Sequence, residues 1–115
     1  VGLKTVVCKR PLELEFAKLL DTAYYSLLIG FWQEIRRLTV DWSLDELVLR
    51  HYFTCGNVES GFAHARPVLF PGKMGGHCLR PNLQLLNEAW PSRLWQWIEE
   101  SDDAVRAKLA EGGTR

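Results

Sequence analysis

The sequence predicts an all-α fold: four to five helices around one long central helix, a short N-terminal extended segment and a long Gly/Pro-rich loop. Three observations predict it. Apolar residues recur at helical spacing through residues 14–38. Ser43-Leu44-Asp45-Glu46 has the serine-to-glutamate spacing of a capping box. Beyond Pro81 the apolar residues again follow the spacing of an amphipathic helix.

The first helix is the clearest element and follows residues 1–8, which resemble a last strand before it. Glu13 and Glu15 lie near its positive end. Its apolar positions are Phe16, Leu19, Leu20, Ala23, Tyr24, Leu27, Phe31, Ile35 and Leu38. Because Leu28 and Trp32 widen this face, we expect one stripe to pack on the domain and another to remain free for a homodimer partner.

Helix-capping residues and helix-breaking glycines and prolines predict the remaining helices and the loop between them. The capping box predicts a helix from Leu44 to about Phe53, which Gly56 ends. Apolar residues do not recur at regular spacing in residues 57–76, which predicts a long loop. Loops of this length in compact domains are usually functional or disordered. Helices are then predicted over 83–89, from Pro91-Ser92 onward, and over 102–111 before Gly112-Gly113. The predicted core comprises Tyr24, Leu27, Phe31, Ile35, Leu47, Val48, Leu86 and Ile98.

Composition predicts one ordinary domain covering residues 1–115. The 14 acidic and 14 basic side chains balance, which gives no reason to expect nucleic acid or an anionic membrane as partner. The apolar stretch 24–32 is far shorter than the roughly 20 residues that cross a bilayer. Three cysteines, an odd number, favour reduced thiols and hence a cytoplasmic protein.

Gly75-Gly76-His77-Cys78 is the segment that points to chemistry. Paired glycines allow the backbone to approach a ligand closely, and a cysteine directly after them is a candidate nucleophile. Lys18 stands on the long helix upstream. Each has an alternative interpretation, Cys78 as a half-buried structural cysteine and Lys18 as a solvated lysine on a polar helix face.

The lysine helix followed by this Gly-Gly-His-Cys loop resembles the central domain of the UDP-glucose/GDP-mannose dehydrogenase family. The resemblance covers about residues 14–86, including Arg66-Pro67-Val68-Leu69 and Pro71-Gly72-Lys73-Met74 before the cysteine loop. It implies that Cys78 attacks a sugar aldehyde and that Lys18 stabilises negative charge on the sugar oxygen. It also implies a homodimer through the long helix.

The resemblance further implies substrate-binding residues. These are Thr22, Arg66, Gly75, Gly76 and Asn82. Two of them depart from the common family pattern: Asn82 stands where many members have Asp, and Thr22 where many have Asn. Asn82 can donate and accept hydrogen bonds but cannot act as a base at neutral pH. Arg66 would reach a phosphate or sugar hydroxyl, or else is a surface arginine at a turn.

The NAD-binding part of such an enzyme is not recognisable in these residues. No Gly-x-Gly-x-x-Gly occurs, and the glycines cluster in the loop region. We therefore expect an orphan or truncated central domain that keeps part of a nucleotide-sugar site, binds no cofactor alone, and needs a separate Rossmann subunit for catalysis. The alternative is a non-enzymatic helical dimerisation or scaffold module derived from that domain. An ordered loop over 57–82 that brings Lys18 and Cys78 close to one pocket favours the first interpretation, and a disordered or displaced loop favours the second.

A zinc site was the remaining possibility. His51 and Cys55 are one helical turn apart, and both are ligand types that zinc accepts. Neither a C-x-x-C pair nor an H-E-x-x-H motif is present, so the sequence predicts no metal site.

Overall fold

A computed structural model describes residues 10–63, 65–75 and 79–112 of the chain, and within them all regular structure is helical. The four helices are α1 (Pro11–Trp42), α2 (Glu46–Glu59), α3 (Leu79–Ala89) and α4 (Arg93–Ala110). The prediction of an all-α fold is thus confirmed. The extended segment predicted over residues 1–8 lies outside the described residues.

Local sequence signals determine where α1 begins and where it ends. Pro11 occupies the first turn, where its missing N–H has no intrahelical partner to lose, and the Glu13 carboxylate accepts from the Arg10 N–H at 3.3 Å. At the other end Ser43 adopts a left-handed conformation (φ 52°), and the N–H of Leu44 donates to the Thr39 carbonyl at 2.9 Å. The helix therefore extends past both ends of the predicted 14–38.

The predicted bounds of the second helix were wrong. Ser43 terminates α1, and Asp45 caps α2 instead, its carboxylate accepting from the Leu47 N–H at 2.9 Å. Gly56 lies inside α2, where a glycine costs only about 1 kcal/mol. The helix ends at Glu59, just before Gly61 and Phe62 take positive φ angles.

The C-terminal third forms two helices rather than the predicted three. Pro81 does not delay α3, which begins at Leu79, because proline is tolerated in a first helical turn. Ser92 caps α4 by accepting from the Leu94 N–H at 3.1 Å. The two predicted stretches from Pro91 to Glu111 are one continuous helix, since no glycine or proline interrupts residues 93–110.

The core lies where α1 packs on α3 and α4. Its buried apolar members are Ala23, Ile29, Met74, Leu83, Leu86 and Ile98. Gly30 lets α4 approach closely, because a Cβ at this position would come within 3.2 Å of the Trp97 ring. Leu86 and Ile98 had been predicted in the core, and both are buried.

Four predicted core residues are exposed instead: Tyr24, Phe31, Leu47 and Val48. Helices α3 and α4 cover one side of α1 and leave the side with Tyr24 and Phe31 open. Helix α2 packs through its other face, where Phe53 meets Trp32 with ring centroids 5.1 Å apart. Periodicity identifies an apolar face, but it does not say how much of that face the same chain covers.

Trp32, one of the two residues that widen the apolar face of α1, belongs to the part of that face that packs within the chain. The side chain is buried, and its indole N–H donates to the Pro67 carbonyl at 3.3 Å. The Arg50 guanidinium also stacks over the indole, 5.1 Å from the ring centroid. Trp32 therefore fixes α2 and the segment after it onto α1.

Among the described residues, no helix is both long enough and apolar enough to cross a bilayer.

Candidate functional site

Two of the predicted site residues, Thr22 and Asn82, are in contact where α1 packs on α3, and Lys18 precedes Thr22 by one turn of α1 with its side chain exposed. The Asn82 amide donates to Thr22 Oγ1 at 3.4 Å, and Thr22 Oγ1 donates to the Lys18 carbonyl at 3.0 Å. Lys18 and Thr22 are one turn apart on α1, so their side chains emerge on the same face. Residues 60 positions apart in the sequence are thus brought into one polar group.

A cavity of about 450 Å³ adjoins this group. Its lining comes from α1, from the segment after α2 and from the start of α3. The lining residues are Asp21, Thr22, Tyr24, Tyr25, Leu28, Pro67, Leu69 and Leu79. Both tyrosine side chains are at least half exposed, so the cavity is open to solvent, and its rings, hydroxyl and carboxylate are groups that contact sugar rings and their hydroxyls.

Arg66 is held beside α2 and outside the lining of this cavity. The buried Asn57 side chain accepts from the Arg66 N–H at 2.6 Å and donates to the Arg66 carbonyl at 2.9 Å. Arg66 Nη1 lies 3.4 Å from the position a Cβ on Gly56 would take. Asn57 therefore fixes the backbone that presents Pro67 to the cavity.

The segment 71–75 before the predicted nucleophile loop is anchored through its backbone. The Gln33 amide donates to the Gly72 carbonyl at 3.1 Å, and the Met74 N–H donates to Asp102 Oδ1 at 2.7 Å. Gly75 is exposed at the end of this segment. The other two predicted loop residues, Gly76 and Cys78, lie outside the described residues.

Asp102 is a fully buried carboxylate at the centre of this anchoring. Besides Met74 it accepts from Gln33 Nε2 at 3.2 Å, and from Arg80 Nη1 and Arg106 Nε at 2.7 Å each. Burial by itself opposes the charged form, but the hydrogen bonds from Arg106, Met74 and Arg80 outweigh it and hold the Asp102 pKa below its ordinary value.

Arg80 is the counter-charge that joins α3 to α4. Its guanidinium also contacts Asp103 at 3.0 Å and Glu99 at 3.4 Å. Burial favours the neutral form, yet the hydrogen bonds and charges of Asp102 and Asp103 raise the Arg80 pKa above its ordinary value. Arg80 therefore stays charged at every accessible pH.

This arrangement predicts loss of stability in acid. The Asp102 pKa is lower in the folded chain than in the unfolded chain, so its ionisation adds stability above the unfolded value of about 4. That contribution is lost as the pH falls below about 4 towards the folded pKa. Urea titrations between pH 7 and pH 3 measure the free energy of unfolding as a function of pH. We expect this free energy to decrease less in acid for Asp102→Asn than for the wild type. An equal decrease in both proteins would assign the acid sensitivity to other groups.

The pair considered for zinc is in contact, and the described residues add no third ligand to it. His51 Nε2 and Cys55 Sγ are 3.3 Å apart on α2. Among the described residues no group of three or more metal-ligating side chains occurs. A thiol and an imidazole alone provide half of a tetrahedral zinc site.

Sequence reasoning missed the network around Asp102. Asp102 was predicted only as the start of a last helix, and Gln33 was assigned no role. The spacing of Asp102 and Arg106, four apart in a helix, was the available signal. Their joint contact with Gln33, Met74 and Arg80 depends on tertiary packing, which spacing does not encode.

Comparison of this chain with protein-family models, with curated proteins and with solved structures finds no match.

Proposed function

We propose that the chain is the central domain of a nucleotide-sugar 6-dehydrogenase and holds part of its sugar-nucleotide site. The observation that carries the proposal is the hydrogen bond between Asn82 and Thr22, one turn from Lys18 and beside the tyrosine-lined cavity. Two of the residues that the family resemblance selects, Thr22 and Asn82, thus come from different helices into one hydrogen bond, and this contact supports the proposal. The cavity beside them has walls suited to a sugar or base ring.

In the proposed reaction the Cys78 thiolate adds to the aldehyde carbon of the oxidised sugar. NAD held by another domain or subunit would accept the hydride of the resulting thiohemiacetal, which leaves a thioester on Cys78; water would then hydrolyse that thioester to the sugar carboxylate and free the thiol. Lys18 stabilises the negative charge that develops on the sugar oxygen. Thr22 and Asn82 orient sugar hydroxyls, because each offers both a donor and an acceptor. Asn82 does not act as a base.

We do not assign catalysis to residues 1–115 alone, because the proposal gives NAD binding to another domain or to a separate subunit. Gly75 and Gly76 would leave the approach to Cys78 free of side chains, and Arg66 would act at the rim of the site. A cytoplasmic location belongs to the same proposal, since both NAD and nucleotide sugars are cytoplasmic metabolites and the thiol must be reduced.

Thermal shift with UDP- and GDP-sugars tests this proposal. A ligand at about a hundred times its dissociation constant stabilises the folded chain by about 2.7 kcal/mol, which raises Tm by several degrees in a domain of this size. We expect one class of nucleotide sugar to give that shift and Lys18→Ala to abolish it. Lys108→Ala, which removes an equivalent helix-surface charge from α4, is the matched control and should keep the shift. No shift with any nucleotide sugar would reject the half-site.

The dimer belongs to the same proposal and is supported by a stripe of exposed apolar residues on α1. The stripe consists of Leu20, Tyr24, Phe31 and Leu38, each at least 40% exposed; Tyr24 also lines the cavity, and the Phe31 ring also meets Phe53 of α2. The last three are seven residues apart, the repeat of two helices that pack along their length. We propose that the α1 stripe packs against its counterpart in a second copy.

A charge within the α1 stripe should separate the dimer. Leu38 is 43% exposed, so Leu38→Glu costs the folded chain little but places two carboxylates in the proposed interface. We expect analytical ultracentrifugation to give twice the chain mass of 13.2 kDa for the wild type and the single mass for Leu38→Glu. Val58→Glu, which adds the same charge at an exposed apolar site of α2, should remain dimeric. A wild-type monomer at high concentration would contradict the proposal.

A non-enzymatic dimerisation or scaffold module is the second candidate. The apolar surface that α2 leaves open favours it, with Leu47, Val48 and Tyr52 all more than 60% exposed. In that case the wild type would self-associate without any response to nucleotide sugars. The thermal-shift and ultracentrifugation experiments together discriminate between the two candidates.

A further inference from the structure

His51 and Cys55 lie in the middle of the outward face of α2. The helix packs on the rest of the chain through Phe53, and the buried Asn57 lies on the same side. Residues 51 and 55 are one turn apart on the opposite side, where His51 is exposed and Cys55 is partly exposed. The imidazole and the thiol therefore point away from the chain's own core.

The separation of the two side chains fits the binding of one metal ion by both. His51 Nε2 and Cys55 Sγ are 3.3 Å apart. With Zn–S bonds of about 2.3 Å and Zn–N bonds of about 2.0–2.1 Å, two ligand atoms of a tetrahedral zinc ion are about 3.5 Å apart. A zinc ion can thus bind both atoms after a small movement of either side chain. Two of its four positions then need ligands from elsewhere.

Apolar side chains surround this pair on the same face of α2. Leu47 and Val48 lie one turn before His51, and Val58 lies one turn after Cys55; all three are more than 60% exposed. An exposed apolar patch of this kind is typical of a protein interface.

The order of these residues along α2 matches an antiparallel pair of α2 helices. If two copies cross at the level of residue 53 about a two-fold axis, positions equally far from the crossing point lie opposite each other. His51 of each copy then lies opposite Cys55 of the other, and Val48 lies opposite Val58. A second copy therefore supplies the two missing ligands and covers the apolar residues on both sides of them.

We propose that two copies of this chain associate through α2 around one zinc ion, which His51 and Cys55 of each copy bind. Two imidazoles and two thiolates form a closed tetrahedral set of the structural type. Binding releases the two thiol protons to solvent, and the two thiolates balance the charge of Zn²⁺. The sequence has no complete zinc motif because each copy carries half of the ligands. This proposal is independent of any nucleotide-sugar site and of the α1 stripe.

Cobalt binding and sedimentation test the zinc-bridged pair. The protein is the full chain with Leu38→Glu, which removes association through the α1 stripe, and with Cys8→Ser and Cys78→Ser, which remove the other two thiols. Co²⁺ replaces zinc in tetrahedral thiolate sites and absorbs visible light there. We expect this absorption to saturate at one Co²⁺ for two chains. Half an equivalent of Zn²⁺ should change the sedimenting mass from 13.2 kDa to twice that value, and EDTA should reverse the change.

Three further variants distinguish the proposed ligands and their geometry. His51→Ala and Cys55→Ser should each abolish both the absorption and the zinc-dependent dimer. Val58→Glu should weaken the dimer, because each carboxylate then lies against Val48 of the other copy. Thr54→Ala changes the exposed residue next to Cys55 and should leave both readouts unchanged. A sedimenting mass that zinc does not alter, saturation at one Co²⁺ for each chain, or a response that survives Cys55→Ser would overturn the proposal.

Discussion

Replacing Asp102 by alanine is expected to remove about 3–5 kcal/mol from the free energy of unfolding, the cost of breaking a buried ion pair from one side. The carboxylate is fully buried, and its loss leaves the Met74 N–H and one N–H of Gln33 without an acceptor, while Arg80 keeps only its contacts to Asp103 and Glu99. Domains of this size are stable by only about 5–15 kcal/mol, so the variant should unfold at much lower urea or fail to accumulate. Urea titration followed by circular dichroism measures the difference.

Asp103→Ala is the matched control for that experiment. Asp103 contacts the same Arg80 at 3.0 Å, yet its side chain is 64% exposed and screened by water. We expect a loss within about 1 kcal/mol. Equal losses for Asp102→Ala and Asp103→Ala would show that the buried carboxylate does not organise the α3–α4 contact.

Leu86→Ala is expected to produce the second largest loss, about 2–5 kcal/mol. Leu86 is 1% exposed and belongs to the cluster between α1, α3 and α4, so truncation leaves a cavity that the helices cannot fully close. The same urea titration measures it. The expected midpoint shift is large, whereas the slope of the transition should not change.

Leu85→Ala is the matched control for Leu86→Ala on the same helix. Leu85 is the preceding residue and is 53% exposed, so truncation removes the same atoms with little lost burial. Its effect should stay within about 0.5 kcal/mol, as for surface substitutions in general. A Leu85→Ala loss as large as that of Leu86→Ala would mean that α3 packs through the opposite face.

The helices were predictable because their signals are local. Apolar spacing located α1, and the C-terminal helix was found although it was divided in two. The end of α2 was predicted too early because Gly56 was taken as a helix-breaking residue. The chain leaves the helical conformation only later, where Gly61 and Phe62 have positive φ angles. Which apolar faces are covered was not predictable, as the exposure of Tyr24 and Leu47 illustrates.

The candidate site was predictable only where a family resemblance supplied roles. Lys18, Thr22 and Asn82 were selected together by that resemblance, and the structure places Thr22 against Asn82. Asp102 was not selected, because its spacing of four to Arg106 is common on helix surfaces and the exposed Asp103 lies only three residues before the same arginine. The tertiary contacts of Asp102 with Gln33 and with the Met74 backbone separate the two carboxylates.

Protection of Cys78 by a nucleotide sugar tests the central claim most directly. The claim is that Lys18, Thr22, Asn82 and Cys78 serve one substrate site beside the tyrosine-lined cavity. The measurement is the iodoacetamide rate at Cys78 and at Cys55, with and without the UDP- or GDP-sugar that raises Tm. The account predicts that the sugar slows alkylation of Cys78 several-fold, leaves Cys55 unchanged, and loses this effect in Lys18→Ala. Unchanged alkylation of Cys78 at a saturating concentration of that sugar would contradict it.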